Sequence, residues 1–255
     1  MKLLEGKKGL IFGVANHRSI AWGIAQCCHE HGAELGFTYL NGALEKRVRP
    51  LAESIGAELI LSCDVQSDEQ VSSLYSQVKE AWGKLDFVVH SVAYANGDDL
   101  KGDFVDTSRA GFSLALDVSA YSLIAVTRGA LDLMPQGGSV LTLSYYGAEK
   151  VVPQYKVMGI AKAALEACVR ELAVELGPKN VRVNAISAGP IKTLAASGIS
   201  DFRSLVSAFE ARAPLGRMTS IEDVGKSAVY LLGDLSSAVT GEVHYVDCGF
   251  NVTAA

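Results

Sequence analysis

The chain has 255 residues, 49% of them apolar, and a formal net charge of −5 with both signs spread along its length. That length suits one large α/β domain or two small ones, and lets roughly three quarters of the unfolded surface be buried without disulfides or metals. Neither a long run of one charge nor a basic stripe is present, which argues against nucleic-acid binding. The cysteines (Cys27, Cys28, Cys63, Cys168, Cys248) and histidines show no Cys-x-x-Cys or His-Glu-x-x-His spacing, so inert thiols in a reducing compartment and no metal are expected.

The opening stretch, MKLLEGKKGLIFGVANHR, has no apolar run of membrane length, and Glu5, Lys7 and Lys8 interrupt any signal-peptide core; no membrane insertion and a cytoplasmic location are expected. A first strand is predicted over 9–15 and a helix over 19–33. In the turn between them, Gly13 and Ala15 are small enough for close backbone approach, and Ser19 is placed to begin a helix whose N–H groups and dipole suit a pyrophosphate. The usual Gly-x-Gly-x-x-Gly is absent, and an ordinary strand–helix turn fits the same residues. A second strand over 33–39 runs into FTYLNGALEKR. There Leu40 and Asn41 supply neither an acid for ribose hydroxyls nor a cation for a 2′-phosphate, and Lys46 and Arg47 come further on; NADH is favoured over NADPH.

The third strand, 58–63, ends in SCDV, where Asp64 can accept from an adenine amino group with Val65 beside the ring, or can simply cap the next helix. That helix is predicted over 67–83, with Ser67 and Gln70 resembling a capping box and Gly83 a stop. The fourth strand, 85–91, leads into HSVAYANG, where Ser91 and Val92 offer a backbone edge to a cofactor ribose and Ala93 avoids bulk. Strands over 139–144, 181–187 and 242–247 complete a set of seven, and 194–218 is the poorest strand–helix match, reading as a helical excursion over one end of the sheet. Near-continuous apolar strands alternating with helices imply one α/β domain over 1–255. Its fold class is a Rossmann-type, doubly wound, mainly parallel seven-stranded sheet with helices on both faces. In such a sheet, ligands bind beyond the carboxyl ends of the strands, where strand order reverses.

The fifth strand ends at SYYGAEKVVPQYKVMGIAK, and a helix is predicted from near Pro153. Tyr155 and Lys162 are seven residues apart, which returns them to nearly one helix face with about 10 Å of axial rise. A free phenol has a pKa of ~10; a nearby ammonium makes it a better proton and hydrogen-bond donor, and a phenol aimed at an oxygen that gains charge on hydride transfer is worth ~3–4 kcal/mol. A half-buried tyrosine and an exposed lysine on an amphipathic helix have the same spacing. Lys150 and Lys156 read as ordinary surface charges.

These segments, with GVANHRSIAWGIA, HSVAYA and VRVNAISAGPIKTLAASGI, resemble the short-chain dehydrogenase/reductase superfamily over essentially the whole chain. Within it they are similar to the type I, NADH-using bacterial enoyl-(acyl-carrier-protein) reductases. Gly159 stands four residues after Tyr155, so the commoner Tyr-x-x-x-Lys fails; Tyr-x6-Lys with a tyrosine ten residues upstream fits Tyr145, Tyr155 and Lys162. The resemblance implies hydride transfer from NADH to the β-carbon of a trans-2-enoyl thioester on acyl-carrier protein. Tyr155 stabilises the enolate, Lys162 holds the ribose and Tyr145 lines the acyl pocket. It further implies cofactor contacts from Gly13, Ser19, Ile20, Leu40, Asp64, Val65 and Val92, and from Ile191, Lys192, Thr193, Leu194 and Ala195. By the same resemblance Ala95 would meet substrate, 191–215 would be a substrate-covering helical excursion, and the assembly would be a homotetramer. Tyr146 replaces a commonly aliphatic residue and reads as packing. The family's basic cluster beyond the excursion is thinned to Arg203 between Ser200 and Ser204, which weakens the electrostatic case for carrier docking. A ketoreductase of the same superfamily and a non-catalytic dinucleotide sensor are the alternatives. The missing Tyr-x-x-x-Lys and Asn-Asn-Ala-Gly stand against the first, and retention of Tyr155 with Lys162 against the second.

Overall fold

The computed structural model describes residues 2–193 and 202–253. Its strands are β1 (Lys8–Phe12), β2 (Glu34–Tyr39), β3 (Ile60–Ser62), β4 (Phe87–His90), β5 (Gly138–Ser144), β6 (Val181–Ala188) and β7 (Val243–Val246). They form one sheet in the order β3-β2-β1-β4-β5-β6-β7, and every neighbouring pair is parallel. All carboxyl ends therefore lie on one edge, and strand order reverses between β1 and β4, where Phe12 sits opposite His90. The predicted first strand stops three residues early because Gly13 turns the chain with φ +92°.

The helices are α1 (Ile20–Glu30), α2 (Gly42–Ser54), α3 (Asp68–Trp82), α4 (Arg109–Leu116), α5 (Ser122–Ala130), α6 (Val157–Leu176), α7 (Phe202–Arg212) and α8 (Ile221–Leu232). Strand side chains alternate between two cores, as a period of two requires. Ile11, Phe87, Val89, Leu141 and Ile186 pack with apolar residues of α1, α2 and α8. Leu10, Phe12, Val88, Val140 and Val183 pack with those of α3, α5 and α6. Both faces are covered, which is why the strands lack polar alternation.

Local signals act through different partners than expected at two places. Ser67 caps α3 by accepting from Gln70 N (3.2 Å), and Gly83 ends it in the left-handed region at φ 69°. The Gln70 side chain does not close a capping box; its Oε1 accepts from Asp64 N (2.9 Å) and ties down the turn after β3. The second difference matters more. Pro153–Lys156 form turns, and α6 starts only at Val157, because Gln154 (φ 67°) and Lys156 (φ 43°) take backbone conformations no right-handed helix accepts. Tyr155 thus precedes the helix instead of riding on it. In the predicted excursion α7 is helical, while 194–201 lie outside the described residues.

Helices α1 and α8 approach through glycines. A Cβ on Gly225 would lie 2.5 Å from Cys27 Sγ and 2.6 Å from the Gly23 carbonyl oxygen. Gly225→Ala is expected to destabilise the fold by about 1–3 kcal/mol through overpacking, read as a lower midpoint in denaturant unfolding; an unchanged midpoint would show that the helices separate freely.

Candidate active site

At the β1–β4 switch point the backbone is tightly packed. A Cβ on Gly13 would sit 1.9 Å from the Ser91 carbonyl oxygen, and Ser91 N donates to Phe12 O (3.3 Å). Only a glycine lets the chain turn here. Ser19 occupies the N-cap of α1, yet its hydroxyl makes no cap bond within the helix. It instead accepts from Ala15 N (3.0 Å) and Asn16 N (3.1 Å), which fixes the loop over the amino end of α1, where Ile20 begins the helix. A shaped backbone turn at a helix amino terminus is the structure a dinucleotide pyrophosphate requires, so these residues fit such a cofactor.

The remaining predicted residues lie along the same sheet edge. After β2, Leu40 is 49% exposed, and Asn41 caps α2 by accepting from Ala43 N and Leu44 N (both 3.1 Å), which leaves no charge at this position. After β3, Asp64 accepts from Gln66 N (3.0 Å) while Ser67 caps α3, so the reading of Asp64 as the helix cap is excluded. Val65 and Val92 pack on the apolar core beneath. After β4, Ala95 and Tyr155 rest on one small cluster of Ala115, Val157, Met158 and Ala161. After β6, Ile191 packs on the core, Lys192 is exposed, and Thr193 N donates to Ile191 O (2.8 Å). Leu194 and Ala195 lie outside the described residues.

Tyr145 and Tyr155 meet edge to face, ring centroids 4.9 Å apart at 74°. Glycines make the space. A Cβ on Gly147 would lie 2.5 Å from the Tyr155 ring, and one on Gly159 would lie 2.8 Å from the Gly147 carbonyl oxygen. The residue that breaks the Tyr-x-x-x-Lys spacing therefore lets the turn holding Tyr155 lie down on α6. Burial pushes the Tyr145 phenol up to about 12. Burial and then Tyr145 push Tyr155 higher still.

The sequence reading has the Lys162 ammonium favouring the phenolate of its tyrosine, whereas burial, the first influence on Tyr155 in the structure, acts the other way. Lys162 is 6% exposed, and its Nζ donates to the Leu143 carbonyl at 2.6 Å. Burial lowers its pKa to about 8, and Glu166 opposes that. Tyr155 lies in the turn that precedes α6, the helix that carries Lys162. Lys156 is also not a free surface charge: its Nζ donates to the Gly102 carbonyl. Lys150 is exposed, and Tyr146 packs edge-on against Phe250 (5.8 Å) and Tyr245 (6.5 Å).

Six polar residues around this centre, His90, Ser119, Ser122, Thr142, Ser144 and Glu166, escaped the sequence reading. His90 is fully buried, with Nδ1 2.9 Å from Thr142 Oγ1 and Nε2 2.8 Å from Ser122 Oγ. Burial and then Lys162 lower its pKa to about 3, so it is neutral. Ser119, from a π-turn between α4 and α5 (Asp117–Tyr121), accepts from Tyr94 N (3.0 Å) and donates to Tyr94 O (3.2 Å), clamping the strand-four loop next to Ala95. Ser144 donates to Glu166 Oε1 at 2.5 Å. Each is a polar residue inside an apolar strand or helix pattern, the one signal by which it was detectable.

The parallel sheet, the glycine turn at the switch point and the tyrosines with Lys162 beyond β5 define a Rossmann-type, dinucleotide-dependent reductase of the short-chain dehydrogenase/reductase kind. The chain belongs to the enoyl-(acyl carrier protein) reductase family, whose sequence model matches residues 13–251. It is similar to the NADH enoyl-(acyl-carrier-protein) reductase of Rickettsia felis, 56% identical over 250 residues that cover 98% of this chain and 96% of that one. Among solved structures it is similar to the Bacillus cereus enoyl-acyl carrier protein reductase with NADP+ and indole naphthyridinone. That match has a TM-score of 0.98 and 51% identity and covers all of both chains. The Anaplasma phagocytophilum enzyme in complex with NAD matches with a TM-score of 0.96 and 53% identity, covering 99% of this chain and 97% of that one.

Gly13→Ala places a side chain at positive φ against a carbonyl. The expected result is a fold weakened by about 1–3 kcal/mol and loss of dinucleotide binding in calorimetric titration. Binding at wild-type strength would remove the turn from the site.

Proposed function

We propose that this chain reduces trans-2-enoyl thioesters carried on acyl-carrier protein, using NADH. The observation that carries the reading is the edge-to-face Tyr145–Tyr155 pair, Tyr155 packed on the same apolar cluster as Ala95, together with Lys162 bound to Leu143 at the carboxyl end of β5. Family membership and relatives named as NADH-dependent enoyl reductases support it.

NADH, when bound, supplies a hydride to the β-carbon. Charge then develops on the thioester oxygen as an enolate, and saturation is completed by a proton at the α-carbon. Tyr155, kept neutral by burial, donates a hydrogen bond to that oxygen as its charge grows, in a setting where such a bond is strong. Tyr145 holds the Tyr155 ring edge-on and walls the acyl side. An ammonium has three N–H donors; Lys162 gives one to Leu143 and directs others to the ribose hydroxyls. Gly13, Ser19 and Ile20 cradle the pyrophosphate. Leu40, Asp64, Val65 and Val92 would border the adenosine and ribose, residues 191–193 would border the nicotinamide end, and α7 would cover the acyl chain. The uncharged end of β2 favours NADH, with NADPH as the weaker donor.

The acyl-carrier protein is the substrate-bearing partner, and the working form is a cytoplasmic homotetramer. Of the described residues, the helical run Arg109–Leu133 is long and apolar enough to cross a bilayer, but 56% of its apolar window is buried inside this fold, which favours a role as core helix.

The deciding assay presents crotonyl and 3-oxoacyl thioesters side by side with NADH and NADPH, following absorbance at 340 nm. Enoyl turnover with NADH is expected, with deuterium from labelled cofactor arriving at the β-carbon; label at a carbinol carbon would establish the ketoreductase instead. Tyr155→Phe should lower kcat by about 10²–10³-fold with little change in NADH affinity, whereas Lys162→Ala should impair both. Wild-type kinetics in both variants would exclude this site. Because Lys162 is cationic below about pH 8 and neutral above it, NADH affinity should be level at lower pH and weaken as pH rises through that value, measured by fluorescence titration.

A further inference from the structure

Lys162 and Glu166 stand one turn apart on α6, at 6% and 7% exposure. Residues i and i+4 share a helix face, and a buried ammonium is costly unless an opposite charge accompanies it; Lys162 and Glu166 are not within ion-pair distance and act on each other through space. The hydrogen bond Lys162 makes goes to a main-chain carbonyl, which is polar but uncharged. Glu166 is fixed from the strand side by Ser144, whose hydroxyl donates to Oε1 at 2.5 Å. Lys162 thus grips residue 143 and Glu166 grips residue 144. These are consecutive residues at the end of β5, and Tyr145 follows directly.

We propose that Glu166 is a positioning residue for Lys162, its carboxylate being the buried counter-charge that keeps the ammonium cationic beside the cofactor ribose. The inference rests on the reading of Lys162 given under the proposed function. The groups facing Lys162 are Glu166 on its own helix and His90 from β4, and His90 is neutral. Those facing Glu166 are Ser144 from β5, Glu149 from the turn after it, Lys162 and Arg170 on α6, and Tyr245 from β7. Tyr245 donates its hydroxyl to Glu149. Burial, foremost, and Glu149 outweigh Ser144, Arg170 and Lys162 and raise the Glu166 pKa above that of a free carboxyl group.

The alternative is that Glu166 is only a steric anchor for β5, and Glu166→Gln separates the two. The amide keeps the shape and can still accept from Ser144, but carries no charge. NADH dissociation constants are measured by fluorescence across pH on the full chain. In Glu166→Gln the pH at which binding starts to weaken should fall by about one unit or more relative to wild type. In a Lys162→Arg background, where the cation does not titrate in this range, adding Glu166→Gln should leave the pH profile unmoved. If the Gln variant does not fold, Ser144→Ala serves: loss of its hydrogen bond to the carboxylate should move the same limb downward. A limb coincident with wild type in the folded variant, or a shift that persists with arginine at 162, overturns the proposal. Wild-type enzyme that turns over enoyl thioester while the limb stays fixed defeats this inference alone; wild-type enzyme that binds no NADH defeats the functional reading with it.

Discussion

A single buried ammonium organises the candidate site. Lys162 is taken out of water by α6 and the carboxyl end of β5, and is held there by the Leu143 carbonyl. Desolvation alone favours its neutral form, so the position is tolerable only with compensating partners and few positive charges nearby. The surroundings meet both conditions. The histidine on the neighbouring strand is kept uncharged between Thr142 and Ser122, and the acid one turn along the helix is pinned to the adjoining strand residue. A parallel sheet makes this arrangement natural. It brings the ends of β4 and β5 side by side, His90 opposite Thr142, so polar groups from distant parts of the sequence surround one cation.

Around that cation the backbone does the shaping. Gly13 lets β1 turn against Ser91, and Gly147 and Gly159 let the Tyr155 turn settle on α6. In each place a methyl group would strike a carbonyl or a ring. The same logic accounts for the unusual backbone at Gln154 and Lys156. Two non-glycine residues at positive φ are unfavourable by themselves. Holding Lys156 Nζ on the Gly102 carbonyl and the Tyr155 ring on Tyr145 offsets part of that strain.

The layers of this structure were legible in the sequence to different depths. Seven apolar runs became seven strands because strands covered on both faces need continuous apolar residues, and Gly83 stopped α3 because its φ is open only to glycine at little cost. The start of α6 was not legible. Proline is acceptable in a first turn, and nothing local to Pro153 announces the two left-handed residues that follow. Those conformations are imposed by contacts with residues 102 and 145. The network of His90, Ser122, Thr142, Ser144 and Glu166 was equally hidden, because its partners lie between 22 and 52 residues apart and only the sheet order brings them together.

The burial of Tyr155 bears on how the proposed chemistry is divided. An ammonium set against a phenol lowers the phenol's pKa and makes proton donation its natural task. Burial and Tyr145 act on the phenol in the opposite direction, so the protein's own field keeps it neutral and makes it a hydrogen-bond donor first. A donor of this kind helps most where negative charge appears on oxygen without a proton being transferred to it, which is the situation of an enolate that is then protonated on carbon. A carbonyl reduced to an alcohol instead needs the proton delivered to the oxygen itself.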